Sequence, residues 1–385
     1  MTYINEKRIV KGQRHLRCGY TTGTCAAAAA KAAAVLLLMG ENLPQVTVEL
    51  PGKETALLEI VRSECRGGKA LCGVIKDAGD DPDVTNGMMV CAEVRCLPSG
   101  EIRIDGGEGV GRVTRPGLDQ PVGAAAINSV PRQMIREAVS SVLKAAGCPE
   151  GLEVIISIPG GLEKAAQTLN GMLGIEGGLS VLGTSGIVEP MSERALTETI
   201  GVEIRQKLAC GSSYLIMAPG NYGLDFLRED FGIPSSEVVK ISNYIGDSID
   251  MAAASGAEGV LLTGHIGKLI KLAAGIMNTH SHQADGRMEI MTAAAVRAGA
   301  PYECLRQVLE AVTTEAGLDA LDAYGFLEPA MALIMEKIAH HLTRRAGQMP
   351  IEAVVFSNER GLLGKTAGAD AMMAHFTKEG LEVET

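Results

Sequence analysis

From residue 152 onward, short apolar runs alternate with segments that have the pattern of helices. The runs occupy residues 154–158, 179–182, 213–218, 238–241, 259–263 and 353–356. Strands that are apolar throughout, rather than at every second position, are typical of parallel sheets that helices cover on both faces. The alternation therefore predicts a parallel-sheet α/β domain over residues 151–385.

The first 150 residues predict a mixed α+β domain. An Ala-rich helix is expected at residues 25–39, with N-cap candidates at residues 21–24 and Gly40 as its end. Strand-like runs at residues 46–50, 56–61, 71–75, 88–95 and 101–104 precede a helix at 132–146. Residues 147–151, with two Gly and one Pro, are the predicted domain boundary. The predicted fold class is thus α/β, an N-terminal α+β domain followed by a Rossmann-like one.

Composition excludes several classes of protein. A net charge of −11 argues against binding nucleic acid or an anionic membrane over a broad surface. The most apolar stretch, residues 26–39, is interrupted by Lys31 and is shorter than the ~20 residues of a membrane-spanning helix. Nine cysteines without a C-x-x-C pair indicate reduced thiols. We expect a cytoplasmic protein without a membrane or nucleic-acid partner, and the oligomeric state stays open, a homo-oligomer included.

The predicted strand ends of the second domain carry Gly-rich and polar loops. They are residues 159–161, 183–186, 219–222, 242–243, 264–265 and 357–360. In open α/β sheets, ligands bind outside the carboxyl ends of the strands. These loops therefore predict a binding site along one edge of the sheet.

A Gly- and Thr-rich segment, residues 19–24, leads into the Ala-rich helix. Thr21, Thr22 and Thr24 with the free N–H groups of a helix start could bind a carboxylate or a phosphate. A capped, close-packed helix start explains the same residues equally well. Small-molecule kinases also place a Gly-rich loop before an Ala-rich helix, so phosphate binding stays open.

The acidic segment 76–83 carries four aspartates. Its spacing does not match an EF-hand loop, which leaves a solvated turn, attraction of a cationic ligand, or general-base chemistry by one aspartate. Asp77 is the candidate base.

The glycine-rich segment 106–117 lacks the G-x-G-x-x-G spacing of a nucleotide loop. We interpret it as a flexible loop that presents Arg112 and Arg115 for bidentate contacts with carboxylates, with a plain surface loop as the alternative.

The segment 264–271 places Lys268 and Lys271 on one helix face. His265 falls at the turn from strand to helix, where a helix N-terminus would lower its pKa and favour the neutral base form. We therefore select His265 as a catalytic candidate. The alternative is a polar turn with two solvated lysines.

His280 and His282, near Asp285, resemble part of a metal site, since histidine and carboxylate side chains are common metal ligands. No third ligand is evident in the sequence. We favour hydrogen bonding of the two histidines to a substrate and predict no metal held by the protein.

Together these segments resemble the CbiD family of the anaerobic cobalamin pathway, the cobalt-precorrin-5B C1-methyltransferases. The resemblance is carried in order by LRCGYTTGTCAAAAAKAA (16–33), VIKDAGDDPDVTNG (74–87), GGEGVGRVTRPGL (106–118), GGLSVLGTSGIVEPMS (177–192), GHIGKLIKLAAGIMNTHSH (264–282) and SNERGLLGKTAGA (357–369). It implies two α/β-type domains. It also implies methylation of C1 of a cobalt-bearing corrinoid precursor by S-adenosylmethionine, which gives cobalt-precorrin-6A and S-adenosylhomocysteine.

This reaction gives the candidate residues their roles. The methyl donor is expected at the strand-end loops of the second domain, at Gly183, Thr184, Ser185 and Gly186, with Asn221 and Tyr222 at the next strand end. The acetate and propionate arms of the substrate call for distributed cations and anion-binding groups. The candidates are Thr21, Thr22, Thr24, Arg112, Arg115, Arg132, Lys268, Lys271, His280, His282, Arg360 and Lys365. Cobalt arrives with the substrate.

Two other functions remain open from the residues alone. A small-molecule kinase would use residues 19–24 for phosphates and would bind ATP and Mg²⁺. A non-catalytic carrier of corrinoid precursors would bind the tetrapyrrole but not S-adenosylmethionine.

Overall fold

The computed structural model describes residues 7–377, which form two compact units that divide between Glu193 and Arg194. The elements of the first unit are β1 (Arg8–Lys11), β2 (Arg14–Arg17), β3 (Gly19–Tyr20), α1 (Thr22–Met39), β4 (Gln45–Glu49), β5 (Thr55–Glu59), β6 (Arg62–Arg66), β7 (Lys69–Ile75), β8 (Met89–Leu97), β9 (Ile102–Gly106), β10 (Arg112–Val113), α2 (Ser129–Ala146), β11 (Gly151–Ser157), α3 (Gly161–Ala165), β12 (Ile175–Glu176) and β13 (Ile187–Val188). Its main sheet has five strands in the order β6-β7-β8-β11-β9.

Helix α1 lies at the centre of the first unit. Eight of its alanines are at most 2% exposed, and the helix packs against α2, β7 and β8. Alanine side chains are short, so the neighbouring backbones approach α1 closely. By length and composition α1 could also cross a membrane, but 72% of it is buried inside the fold, as expected of a core helix.

The second unit begins within α4. Its elements are α4 (Glu193–Ala209), β14 (Tyr214–Ala218), α5 (Asn221–Phe231), a 3-10 helix (Ser235–Glu237), β15 (Val238–Lys240), α6 (Ile245–Ala254), β16 (Gly259–His265), α7 (Ile266–Leu269), a second 3-10 helix (Ile270–Ala274), α8 (Arg287–Ala298), α9 (Tyr302–Glu310), α10 (Thr314–Ala323), α11 (Leu327–Ala346), β17 (Ile351–Ser357), β18 (Gly361–Lys365) and α12 (Ala369–Ala374).

The sheet of the second unit has the order β15-β14-β16-β17-β18, with four parallel strands and β18 antiparallel at the edge. Successive residues of β14 face opposite sides: Leu215 and Met217 pack with α6, α8 and α11, whereas Ile216 and Ala218 pack with α5 and α12. Helices therefore cover both faces, which is why these strands are apolar throughout. The parallel α/β character predicted for this half of the chain agrees with this sheet.

The predicted domain boundary at residue 150 differs from the division seen in the structure. Strand β11 pairs with β8 and β9 in the first unit, where Leu152, Val154 and Ile156 are fully buried. Residues 179–182 also lie in this unit, and they form only isolated bridges, from Leu179 to Val110 and from Val181 to Ile127. An apolar run predicts burial but does not say which sheet receives it.

A buried ion pair joins β7 to the acidic segment that follows it. Lys76 is 1% exposed and its ammonium donates to Asp83, which also accepts from the backbone and hydroxyl of Thr85. Burial raises the pKa of Asp83, but Lys76 and these hydrogen bonds outweigh it, so the net pKa lies below the ordinary value. The carboxylate thus compensates a lysine that has no access to water.

We expect Asp83→Ala to lower the free energy of unfolding by about 3 kcal/mol, because it leaves the Lys76 ammonium buried and unpaired. Urea denaturation measures the change. Glu93→Ala, which breaks the exposed pair of Lys69 and Glu93, is the control and should cost less than about 1 kcal/mol. Equal losses in the two variants would show that the Lys76 pair is no more important than a surface pair.

Candidate functional site

The start of α1 is covered by the chain itself. The N–H of Gly23 donates to Leu182 O (3.2 Å), and that of Thr24 to the hydroxyl of Thr21 (3.3 Å). The Thr24 hydroxyl donates to Gly186 O (2.7 Å). Thr21, Thr22 and Thr24 are all buried. The predicted anion site at these threonines is therefore corrected to the alternative, a capped and close-packed helix start.

The loop Gly183–Gly186 is what covers that helix start. It belongs to the first unit, and not to the strand ends of a parallel sheet, because residues 179–182 form no strand of the second unit. The Ser185 hydroxyl donates to Ile187 O (3.1 Å), and the Gly186 carbonyl accepts from the N–H of Thr21 and the hydroxyl of Thr24. The donor site predicted at Gly183, Thr184, Ser185 and Gly186 therefore loses its premise, since this loop is not a strand end of a parallel sheet.

Gly183 is required for packing. Its φ is +137°, and a Cβ there would lie 2.4 Å from Cβ and Oγ1 of Thr21. We expect Gly183→Ala to lower the free energy of unfolding by about 2 kcal/mol more than Gly123→Ala. Gly123 also has a positive φ, +89°, but open space around it. Thermal and urea denaturation measure both variants, and matched losses would mean that the contact with Thr21 is unimportant.

Asp77 is held by an arginine. Both oxygens of its carboxylate accept from Arg17, at 2.6 and 2.8 Å, and Oδ1 also accepts from the N–H of Gly79. The hydrogen bonds from Arg17 lower the pKa of Asp77 below its ordinary value. A carboxylate stabilised in this way is a weak proton acceptor, which argues against Asp77 as the catalytic base.

This pair gives a pH dependence with a definite sign. Because the pKa of Asp77 in the folded state lies below 3.8, its contribution to stability is complete above that pH and is lost as the pH falls through the lowered value. Arg17→Gln should raise the pKa of Asp77 and reduce the loss of stability between pH 5 and pH 2. Carboxyl ¹³C titration and urea denaturation test this, and an unchanged Asp77 titration in Arg17→Gln would contradict it.

The cations predicted in the first unit as ligands for the substrate have partners in the chain. Arg112 donates to both oxygens of Asp105, at 2.9 and 3.1 Å, and Arg115 to the carbonyl of Met172 at 3.4 Å. Arg132 donates to three backbone carbonyls, those of Ile127, Ile104 and Ala125. The bidentate carboxylate expected for Arg112 is thus an aspartate of the protein.

In the second unit, the predicted strand-end residues do come together. Strand β14 is followed by Gly220 and by Asn221 and Tyr222 in the first turn of α5, and β16 ends at His265. The ring of Tyr222, which is 63% exposed, lies 6.0 Å from that of His265. Lys268, on α7, lies beside Gly220.

A polar cavity of about 360 Å³ lies at this edge. It is lined by Asn243, Gly267, Lys268, Lys271, Thr279, His280, Ser281, Asp285 and Arg287. Lys271 is 3% exposed and donates to the carbonyls of Thr279 (3.1 Å) and Ala284 (2.8 Å), and Arg287 is paired with Asp285. Lys271 therefore also holds the loop that forms the wall of the cavity.

Lys268 is different. Within residues 7–377 its ammonium has no hydrogen bond and no ion pair, although the side chain is half-buried. Burial, with a smaller contribution from the neighbouring Lys271, lowers the pKa of Lys268. A partly desolvated cation without a partner, facing a polar cavity, is suited to bind an anion.

Of the remaining residues predicted to contact the substrate, some line the cavity and others are paired elsewhere in the chain. His280 lines the cavity, and its Nδ1 accepts from the N–H of His282 (3.1 Å). Within residues 7–377, no group of three His, Cys, Asp or Glu side chains could hold a metal ion. Arg360 is paired with Asp319 and Asp322, and Lys365 with Asp370. These two cations are occupied by the chain's own carboxylates.

His265 has both ring nitrogens engaged. Nδ1 accepts from the N–H of Gly267 (3.0 Å), and Nε2 lies 3.3 Å from Oε1 of Glu315. Because Nδ1 accepts a hydrogen bond, the proton of the ring is on Nε2. Burial lowers the pKa of His265, and Glu315 only partly opposes this. The pKa is lowered as we expected, but the cause is burial and not the helix N-terminus. No lone pair of the ring is free, which argues against His265 as a general base in this arrangement.

Glu315 and Arg287 were not among the site residues predicted from the sequence. Glu315 lies in the first turn of α10, fifty residues from His265, and belongs to no motif. Nothing in the sequence distinguishes it from the acidic residues that commonly begin helices. Arg287 follows Asp285 closely, and the proximity to His280 and His282 was the one signal that could have included it.

Known proteins resemble this chain over nearly its whole length. The family model described as CbiD matches residues 9–190, and the CbiD C-terminal domain matches residues 278–367. A cobalt-precorrin-5B C(1)-methyltransferase of Ruminiclostridium cellulolyticum is 46% identical over 384 residues, 97% of this chain and 99% of that protein. The enzyme of the same name from Alkaliphilus metalliredigens is 41% identical over 380 residues, 98% of this chain and 100% of that protein.

A crystal structure of the cobalamin biosynthesis protein CbiD from Archaeoglobus fulgidus matches with a TM-score of 0.40 and 28% identity, over 73% of this chain and 87% of that one. The two matches to the family models cover well over half of the residues, and the relatives align almost from end to end. The chain belongs to the CbiD family.

Proposed function

We propose that this protein transfers the methyl group of S-adenosylmethionine to C1 of cobalt-precorrin-5B, giving cobalt-precorrin-6A and S-adenosylhomocysteine. The observation that carries the proposal is the 41–46% identity to proteins named cobalt-precorrin-5B C(1)-methyltransferase, over 97–98% of this chain. The same two alignments cover 99% and 100% of those proteins. The activity belongs to anaerobic cobalamin biosynthesis.

Methyl transfer needs no covalent bond between the protein and either substrate. The bond from sulfur to the methyl carbon breaks with its electron pair left on sulfur, while C1 supplies the pair for the new carbon–carbon bond. The rate depends on holding donor sulfur, methyl and C1 in line, in a site from which water is excluded. The cobalt is part of the substrate.

The strand ends of the second unit are the proposed donor site. The four parallel strands and the turn at Gly220 support a Rossmann-like use of this edge, in which ligands meet backbone N–H groups and short loops. Asn221 and Tyr222 remain the proposed donor contacts. Tyr222 is exposed and beside His265, where its ring can cover the adenine or the sulfonium.

The cavity beside Lys268 is the proposed site for a carboxylate arm of the substrate. Its volume of about 360 Å³ suits one or two acetate or propionate arms and is too small for a whole macrocycle with its side chains. Two lysines and one arginine face one carboxylate, Asp285, so the cavity has a net positive charge. His280 would add a hydrogen bond at its wall.

The alternative functions have less support. A kinase would need the start of α1 for phosphates, but its N–H groups are occupied by Leu182 and Thr21. A carrier of tetrapyrroles would leave the strand ends around Tyr222 without a ligand. Neither alternative accounts for the names of the relatives.

Calorimetry and turnover test the proposal together. We expect the protein to bind S-adenosylhomocysteine, not to bind ATP with Mg²⁺, and to convert cobalt-precorrin-5B into a product heavier by one methylene unit when S-adenosylmethionine is present. Binding of the tetrapyrrole without binding of S-adenosylhomocysteine would favour the carrier. Binding of ATP instead would favour the kinase.

Lys268→Ala should weaken tetrapyrrole binding by about 1–3 kcal/mol and leave S-adenosylhomocysteine binding unchanged, because the variant removes one charged contact to a carboxylate. Lys337→Ala, on α11 of the same unit, is the matched control and should have no effect. Titration at two salt concentrations shows whether the lost contact is ionic. Wild-type affinity in Lys268→Ala would exclude this lysine from the substrate site.

A further inference from the structure

Glu315 is a partly buried carboxylate without a lysine or arginine partner within residues 7–377. Its side chain is 19% exposed, and Oε2 accepts from the hydroxyl of Ser357 (2.9 Å). Oε1 is inaccessible to water and has no aligned hydrogen bond; its neighbour is Nε2 of His265, at 3.3 Å. A carboxylate oxygen that is buried without an aligned hydrogen bond costs free energy, so its place beside His265 calls for a physical reason.

The contacts of Glu315 join three parts of the strand-end region. Ser357 ends β17, His265 ends β16, and Glu315 itself lies in the first turn of α10. The ring of His265 also packs edge-on against Phe356 (5.7 Å), which stacks on Phe226 (4.2 Å). These ring contacts restrict the movement of the His265 side chain.

His265 in turn holds the start of α7. Its Nδ1 accepts from the N–H of Gly267, and this is the side-chain cap of the helix. Lys268 is the next residue. Lys268 lies in the first turn of α7, so the cap at Gly267 fixes the backbone from which its side chain extends.

We propose that Glu315 is a positioning residue that acts through His265 and the start of α7 to aim Lys268 at the substrate carboxylate. The inference rests on the proposed function, since it takes the cavity at Lys268 as the substrate site. Glu315 itself does not touch the ligand, because Oε1 is buried and Oε2 is occupied by Ser357. Its charge favours the Nε2 proton of His265, which leaves Nδ1 free to cap the helix.

A double-mutant cycle on tetrapyrrole affinity tests this coupling. Glu315→Gln has nearly the same shape but no charge, and we expect it to weaken binding of cobalt-precorrin-5B by about 3- to 10-fold. In the Lys268→Ala background the same change should cost less than about 2-fold, because the residue that Glu315 positions is gone. Glu303→Gln, in the exposed first turn of α9, is the matched control.

Amide hydrogen exchange in the ligand-free protein gives an independent readout. Glu315→Gln should speed exchange at Gly267 and leave the amides of β16 unchanged, whereas a general loss of stability would speed both. Glu315→Ala should have a larger local effect, and His265→Gln offers the same readout if Glu315→Ala does not fold.

The outcomes separate the two proposals. Additive losses in the double-mutant cycle, or unchanged exchange at Gly267 in a folded Glu315→Gln protein, would overturn the role of Glu315. If the wild type binds no tetrapyrrole, the proposed function fails, while a local effect at Gly267 would still support the positioning of α7.

Discussion

Close approach between backbone segments is the constraint on which the first unit depends. The alanines of α1 let two sheet strands and α2 pack directly against the helix, and α1 therefore forms the centre of the core without large side chains. Backbone segments also approach each other closely just before α1. A Cβ at Gly19 would lie 2.1 Å from the backbone of Ala78, so the chain can only bring these segments together where a side chain is missing.

This constraint explains why the glycine- and threonine-rich segments are not the binding loops that they resemble. The segment from Leu182 to Gly186 closes over the start of α1. The carbonyl of Leu182 accepts from the N–H of Gly23, and that of Gly186 accepts from the N–H of Thr21 and the hydroxyl of Thr24. A helix start satisfied by protein has nothing left for an anion. Small residues at a helix start thus serve packing in the first unit, whereas the parallel strand ends of the second unit keep an open cavity.

The charged side chains also differ in whether they serve the fold or face the cavity. The arginines that the sequence offered as anion ligands all have partners in the chain: Arg112 pairs with Asp105, Arg360 pairs with Asp319 and Asp322, and Arg115 and Arg132 donate to backbone carbonyls. In a chain with a net charge of −11, a cation that faces a carboxylate is the common case. Lys268 stands out because it faces a cavity instead, and a free cation is more informative about ligand binding than several paired ones.

The sequence by itself determined many of the helices and strands, the parallel character of the second unit's sheet and, through six motif segments, the family. It also placed Asn221, Tyr222, His265, Lys268 and Lys271 at one edge, because the carboxyl ends of parallel strands must meet there. Only the tertiary structure decided that β11 belongs to the first sheet, since apolar strands of similar length fit either core. Only the tertiary structure placed Glu315 beside His265, because a contact between residues fifty positions apart depends on how α10 packs and leaves no local pattern in the sequence.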